Sequence, residues 1–178
     1  TRSAYKGWSM MQIFSPENVG TILWLGGGSS FATEGTGGRA FLSGFGNSSK
    51  SVWGLNALER GLVIEKGLGG NLPKNFPVID KLSDGVATSI KSVDLTAKTY
   101  NTGNGLFNTL KGHVNTLSSF TRGELSGVVA EQGVNFTSKT LEVAIQPGKA
   151  SLTQWEQIGK AMEYAKSQGI EFSLKFVK

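Results

Sequence analysis

Two short segments of the sequence place a carboxylate close to a lysine. Asp80 ends the apolar segment 76–80, and Lys91 lies within segment 88–92. Both segments are predicted to be strands, and successive strand residues point to opposite faces, so Lys91 shares one face with Ser89. A carboxylate that can hold a divalent cation, next to a lysine that can stabilise negative charge, suits metal-dependent phosphodiester hydrolysis.

Glu65 is a third candidate for the same chemistry. It ends a predicted apolar helix, just before the glycine-rich segment 67–70. From there its carboxylate could complete an oxygen cage for a metal, because magnesium prefers carboxylate oxygens and zinc accepts them. Each residue also has an ordinary interpretation. Asp80 could cap a turn, Glu65 could be a solvated helical residue, and Lys91 could pair with Asp80 in a plain salt bridge.

Composition limits the other kinds of chemistry. The chain has 178 residues, enough for one domain, and a net charge of +5 without a basic cluster, which favours a polyanionic partner. There is no cysteine, which excludes disulfides, cysteine-ligated zinc and thiol nucleophiles. The single histidine, His113, excludes a histidine-pair metal site. No apolar run is long enough to predict a membrane-spanning helix, and the absence of a starting methionine suggests a piece of a longer protein.

The chain changes character near residue 50. Residues 1–50 are rich in glycine and serine with little periodicity, and we expect a weakly structured lead-in. From Ser51 onward the apolar spacing predicts a helix with Ser51 as its N-cap, Gly67 or Gly69 as its end, and a weak point at Gly61.

The rest of the chain alternates between strand and helix patterns. The predicted elements are a strand at 76–79, a turn at 81–85 marked by Asp84-Gly85, a strand at 86–93, a helix at 104–120, strands at 127–134 and 140–145 forming a hairpin, a helix from Ser151 or Thr153 to Gln168, and a strand at 170–177. Residues 51–178 are therefore predicted to form one mixed α/β domain around a single sheet.

The order of these candidate residues resembles a known nuclease core. A helix carrying glutamate, an aspartate on one strand and a (D/E/S)-x-K motif on the next resemble the PD-(D/E)xK restriction-endonuclease core. The chain is more closely similar to the nuclease toxins of bacterial contact-dependent growth inhibition, the C-terminal tips of CdiA-type exoproteins. The similarity covers residues 51–178 and is carried by Arg60-Gly-x-x-Ile-Glu65, Asn71-Leu-Pro-x-x-Phe-Pro-x-Ile-Asp80 and Thr88-Ser-Ile-Lys-Ser-Val-Asp-Leu95 with Thr99-Tyr100.

This resemblance implies a restriction-endonuclease-like mixed sheet flanked by helices, with a β-hairpin. It implies a metal-dependent endonuclease in which Glu65, Asp80 and Ser89 hold zinc or magnesium and Lys91 is catalytic, the four residues together forming the catalytic set. Ser89 stands where an acidic residue is usual, which weakens metal binding through that position. DNA is the first expected substrate, and transfer RNA is the alternative.

The resemblance also implies a place of action and a partner. The toxin would be the secreted or surface-exposed tip of a larger protein, would act in the cytoplasm of a neighbouring bacterium without stable membrane insertion, and would be neutralised by a cognate immunity protein. Residues 1–50 would be a linker or a cell-entering segment. The predicted hairpin 127–145 could dock the immunity protein by strand addition, or could simply pack within the sheet.

One competing interpretation needs no catalysis. In it the domain is a binding module, such as an adhesin or phage-structural tip, and the Asp80–Lys91 pair is only structural. Asp94 is predicted to have a structural role before Thr96, and His113 is predicted to be an ordinary helix residue rather than a ligand.

Overall fold

The computed structural model describes residues 22–23 and 51–178, so most of the predicted lead-in 1–50 lies outside the described residues. Its elements in chain order are β1 (Ile22–Leu23), a 3-10 turn (Val52–Gly54), α1 (Ala57–Gly67), β2 (Lys81–Ser83), β3 (Val86–Ser92), a 3-10 turn (Lys98–Tyr100), α2 (Gly105–Ser119), β4 (Arg122–Leu125), β5 (Val128–Glu131), β6 (Ser138–Ile145), α3 (Leu152–Ser167) and β7 (Glu171–Phe176). None of the helices in this part of the chain is both long and apolar enough to cross a membrane.

A mixed sheet organises the domain. Its strand order is β1-β7-β6-β3-β2, and β4 pairs with β5 in a separate two-stranded sheet. The central pairs β3–β6 and β6–β7 are parallel, whereas the outer pairs β2–β3 and β1–β7 are antiparallel. A mixed sheet with flanking helices and a hairpin confirms the predicted fold class.

Helices cover the two faces of the sheet unequally. The larger hydrophobic cluster joins alternate residues of β3, β6 and β7, such as Ala87, Leu141 and Leu174, to the apolar faces of α2 and α3. On the other face α1 contributes Ile64, which packs with Ile90 in a smaller cluster. This packing places α1 against the Ile90 face of β3.

The segment before β2 differs from the prediction. Residues 76–79 form no strand, and Asn75 and Val78 have φ angles of 66° and 65°, which are incompatible with extended backbone. Phe76 and Ile79 are buried, so the apolar pattern reflects a loop anchored in the core. The predicted turn 81–85 is also wrong in its first half, which is strand β2. Asp84-Gly85 does form the hairpin turn, with both φ angles positive at 52° and 75°.

Helix α1 begins later than predicted. Its N-cap is Asn56, whose side chain accepts from the Glu59 N–H, and Ser51 instead caps the preceding 3-10 turn. The helix continues through Gly61 without a break and ends at Gly67.

The predicted hairpin between 127–134 and 140–145 is wrong. β6 is a central strand of the main sheet, and the hairpin partner of β5 is β4, which precedes it. The remaining elements are confirmed. Helix α2 has Asn104 as its N-cap, α3 begins at Ser151 with a capping box involving Gln154, and β7 closes the sheet.

Candidate active site

Asp80 is fixed against β3 by both its backbone and its side chain. Its N–H donates to the Thr88 carbonyl at 2.9 Å, next to the point where Lys81 of β2 pairs with Thr88 of β3. Its Oδ2 accepts from the Ile90 N–H at 2.6 Å and lies 3.2 Å from Lys91 Nζ. The side chain therefore keeps one orientation beside β3, although the segment before it is not a strand.

Ser89 and Lys91 share one face of β3, as the alternation predicted. Ser89 is only 2% exposed, and its Oγ donates to the Val78 carbonyl at 2.8 Å while lying 3.4 Å from Asp80 Oδ2. The Lys91 side chain is 31% exposed, so its ammonium group can be reached from solvent. The structure thus brings together Asp80, Ser89 and Lys91.

Glu65 joins the same site from the last turn of α1. Burial raises the pKa of this carboxyl, the negative charge of Asp80 raises it further, and Lys91 opposes the shift. The side chain of Glu65 has neither a hydrogen bond nor an ion pair with any residue in the described segments. Two carboxylates therefore lie within each other's electrostatic field, and only Asp80 has a cationic partner.

This donor set fits a divalent cation. The contacts of the Asp80 side chain all involve Oδ2, so Oδ1 remains available, and both oxygens of Glu65 are unused. Ser89 adds a neutral oxygen. Within residues 22–23 and 51–178 no group of three or more His, Cys, Asp or Glu residues forms, so the charged donors are two carboxylates. Hard divalent cations prefer such oxygen ligands.

Two neighbouring residues have different relations to the site. Asp94 accepts from Thr96 through both N–H and Oγ1, at 3.0 and 2.6 Å, and forms an ion pair with Arg60 at 3.6 Å, in keeping with the predicted structural role. Burial lowers the pKa of His113, and the charge of Lys91 lowers it further, so the imidazole lies within electrostatic range of Lys91. This proximity is not predicted from the sequence, in which His113 is expected to be an ordinary helix residue. The available signal was the position of His113 on α2, one turn from the buried Leu110 and beside Val114.

The mixed sheet with a glutamate on α1, an aspartate before β2 and a serine and lysine on β3 defines a restriction-endonuclease-like core. Residues 60–175 match the model of the CDI toxin restriction endonuclease-like domain, and the chain belongs to this family.

Two relatives are named as nucleases. Over 136 aligned residues the chain is 32% identical to deoxyribonuclease CdiA-o11 of Escherichia coli O157:H7 strain EC869, covering 71% of this chain and 35% of that protein. An alignment of 193 positions gives 27% identity to deoxyribonuclease CdiA of Yersinia pseudotuberculosis serotype O:3 strain YPIII, covering 97% of this chain and 17% of that protein. The chain thus spans about a third or less of the length of these relatives.

A solved structure has the same fold. The toxin and immunity complex CdiA-CT/CdiI from Yersinia pseudotuberculosis contains a chain that is 30% identical and superposes with a TM-score of 0.54. The match covers 62% of this chain and 90% of that one.

Proposed function

We propose that this chain is the nuclease toxin domain of a contact-dependent growth inhibition protein. In this proposal it is a metal-dependent endonuclease that cleaves DNA in the cytoplasm of a neighbouring bacterium after delivery from a larger secreted protein. The observation that carries the proposal is the ion pair of Asp80 with Lys91 beside the unpaired carboxylate of Glu65. The names of the two relatives support DNA as the substrate.

Each residue of the site has a distinct task. Glu65 and Asp80 would hold the cation, with Ser89 as a weak third ligand. A divalent metal held by these residues would supply Lewis-acid chemistry, which polarises a phosphodiester and lowers the pKa of an attacking water. The Ile90 N–H keeps Asp80 Oδ2 turned towards β3, which leaves Oδ1 for the cation. Lys91, 3.2 Å from Asp80, would neutralise the charge that develops on the phosphate or orient the water.

The net charge agrees with this substrate. A chain of charge +5 is attracted to the polyanionic backbone of nucleic acid, and such attraction weakens as salt is added.

The test of this function is incubation of the purified chain with plasmid DNA and with total tRNA, in zinc, magnesium or EDTA. We expect nicking of the plasmid with a divalent metal and none with EDTA. Asp80→Asn is the suitable variant, because an amide oxygen can still accept from the Ile90 N–H while the metal-binding charge is lost. Cleavage of tRNA without cleavage of plasmid DNA would show that tRNA is the substrate. Full nicking of the plasmid in EDTA, or by the Asp80→Asn variant, would refute the mechanism.

We also propose a cognate immunity protein as the partner. The support is that the solved relative is a toxin and immunity complex, and that this chain has a small separate sheet, β4–β5, beside exposed apolar side chains. Val128 is 36% exposed and Val134, just after β5, is 74% exposed. Calorimetric titration with the immunity protein should show weaker binding by Val134→Asp. The matched control is Leu58→Asp on α1, where the side chain is 72% exposed. Equal affinity of both variants for the immunity protein would show that the interface does not include the β4–β5 hairpin.

A further inference from the structure

Residues 70–72 are hydrogen-bonded to the backbone of both acidic residues of the site, Glu65 and Asp80. The Gly70 N–H donates to the Glu65 carbonyl at 2.8 Å. The next N–H groups, those of Asn71 and Leu72, both donate to the Asp80 carbonyl, at 3.2 and 3.3 Å. Residues 70 and 71 therefore connect the end of α1 directly to the start of β2.

The side chain of Asn71 strengthens the second connection. Its Oδ1 accepts from the Leu82 N–H at 2.9 Å and its Nδ2 donates to the Leu82 carbonyl at 2.9 Å. β2 is the last strand at this side of the sheet, so the amide takes the place of a neighbouring strand there. Because Leu82 lies two residues after Asp80, Asn71 is bonded both to Asp80 itself and to the strand that continues from it.

Gly70 is required by the closeness of Glu65. A Cβ atom on Gly70 would lie 2.8 Å from Glu65 Cγ and 3.0 Å from the Glu65 carbonyl oxygen. The φ angle of Gly70 is not positive, so the constraint is the contact and not the backbone conformation. A side chain here would displace the stem of the Glu65 carboxylate.

From these contacts we propose that Gly70 and Asn71 are positioning residues that set the separation of Glu65 from Asp80, and so the geometry of the metal site. Gly70 acts on Glu65, and Asn71 acts on Asp80. The inference rests on the proposed function, because it assumes that these two carboxylates hold one cation. Two ligands must place their oxygens about 2.0–2.6 Å from a common ion, and changes in the residues that orient ligands typically weaken metal binding about 10–100-fold.

The division of tasks gives a sharp test. Mn²⁺ alone is titrated calorimetrically into the purified full chain carrying Gly70→Ala or Asn71→Ala, each also combined with Glu65→Gln or Asp80→Asn. We expect each single substitution to weaken Mn²⁺ binding by about 10–100-fold. In the Glu65→Gln background Gly70→Ala should have less than about a twofold effect, and in the Asp80→Asn background the same should hold for Asn71→Ala, because the ligand each one positions is already lost.

The matched control is Gly61→Ala on α1, the helix that carries Glu65. A Cβ at Gly61 meets no atom within 4 Å, so this substitution should leave Mn²⁺ binding unchanged. Wild-type affinity in Gly70→Ala and Asn71→Ala would overturn the inference and leave the proposed function standing. Equal weakening in all backgrounds would also overturn it, because that result indicates a general loss of structure. If the wild-type chain binds no divalent metal, the metal-dependent function itself fails, and the inference with it.

Discussion

Lys91→Met separates the catalytic role of the lysine from its structural role. The substitution removes the ammonium group and keeps an apolar stem of similar length. The lost ion pair is 3.2 Å long, and its side chains are 31% and 18% exposed for Lys91 and Asp80. Asp80 keeps the hydrogen bond from Ile90 at 2.6 Å, so its carboxylate is not left unsatisfied. A partly exposed pair of this kind contributes up to about 1 kcal/mol, which corresponds to a fall in Tm of about 4 °C.

The expected effect on cleavage is much larger. Removing one group that stabilises transition-state charge typically costs about 10²–10³-fold in rate, or about 3–4 kcal/mol. Lys91 is not a metal ligand, and removal of its positive charge does not oppose cation binding, so Mn²⁺ affinity should be retained. Single-turnover nicking of plasmid DNA at saturating metal measures the rate, and thermal melting measures the stability of the same preparation.

Lys175→Met is the matched control for this experiment. Lys175 pairs with Glu142 at 3.5 Å in the same sheet, with side chains 19% and 13% exposed, and it has no place in the proposed site. We expect its loss to reduce stability at least as much as Lys91→Met and to leave nicking unchanged. Nicking by Lys91→Met at the wild-type rate would refute the assigned role. A rate that falls in step with stability in both variants would refute it equally.

Three further outcomes follow from the same structure. Because the pKa of Glu65 is raised in the folded state, its contribution to stability is present below its ordinary pKa and is lost as pH rises through the folded-state pKa. Glu65→Gln should therefore raise the Tm of the metal-free chain at about pH 7 and not at about pH 3.5. Equal shifts in Tm at both pH values would contradict this. Phe136 is 1% exposed and stacks on Phe120 with ring centroids 5.8 Å apart. Phe136→Ala should therefore lower the free energy of unfolding in urea by about 3–5 kcal/mol. A loss below about 1 kcal/mol would show that the surrounding core closes the cavity left by the ring. Binding of DNA by the Asp80→Asn chain should weaken steeply with added salt, and an affinity independent of salt would exclude the phosphate backbone as the main contact.

The proximity of Ser89 and Lys91 could be predicted from sequence because both residues lie on one strand. The alternation along β3 places Ser89 and Lys91 on one face whatever the rest of the fold does, and the Asp84-Gly85 turn fixes the strand that must lie beside it. Asp80 was predicted correctly beside Lys91 although the strand assigned to 76–79 is wrong. Its position depends on pairing with Thr88 and Ile90, not on the conformation of the residues before it.

Other features depend on contacts between residues distant in sequence. The pattern of β6 indicates a buried strand, but its parallel partners β3 and β7 are separated from it by long connections, so the sequence favours pairing with the nearer β5. The contacts of Asn71 with Leu82 span eleven residues and leave no local signal. Gly70 was visible only as part of a glycine-rich turn, since the carboxylate stem that excludes a side chain there comes from the preceding helix.

The two carboxylates of the site are held in different ways, and this difference has a physical consequence. Asp80 is stabilised by Ile90 and Lys91, so its charge is compensated whether or not a cation is present. Glu65 is partly buried beside that charge, and burial and Asp80 both oppose its ionisation. The charged form of Glu65 is therefore disfavoured in the folded chain, and a divalent cation between the two groups would favour it. A ligand that binds only the folded state stabilises that state. Relief of the penalty on the charged Glu65 carboxylate would therefore add to the affinity for the metal, while Ile90 and Lys91 hold Asp80 in place.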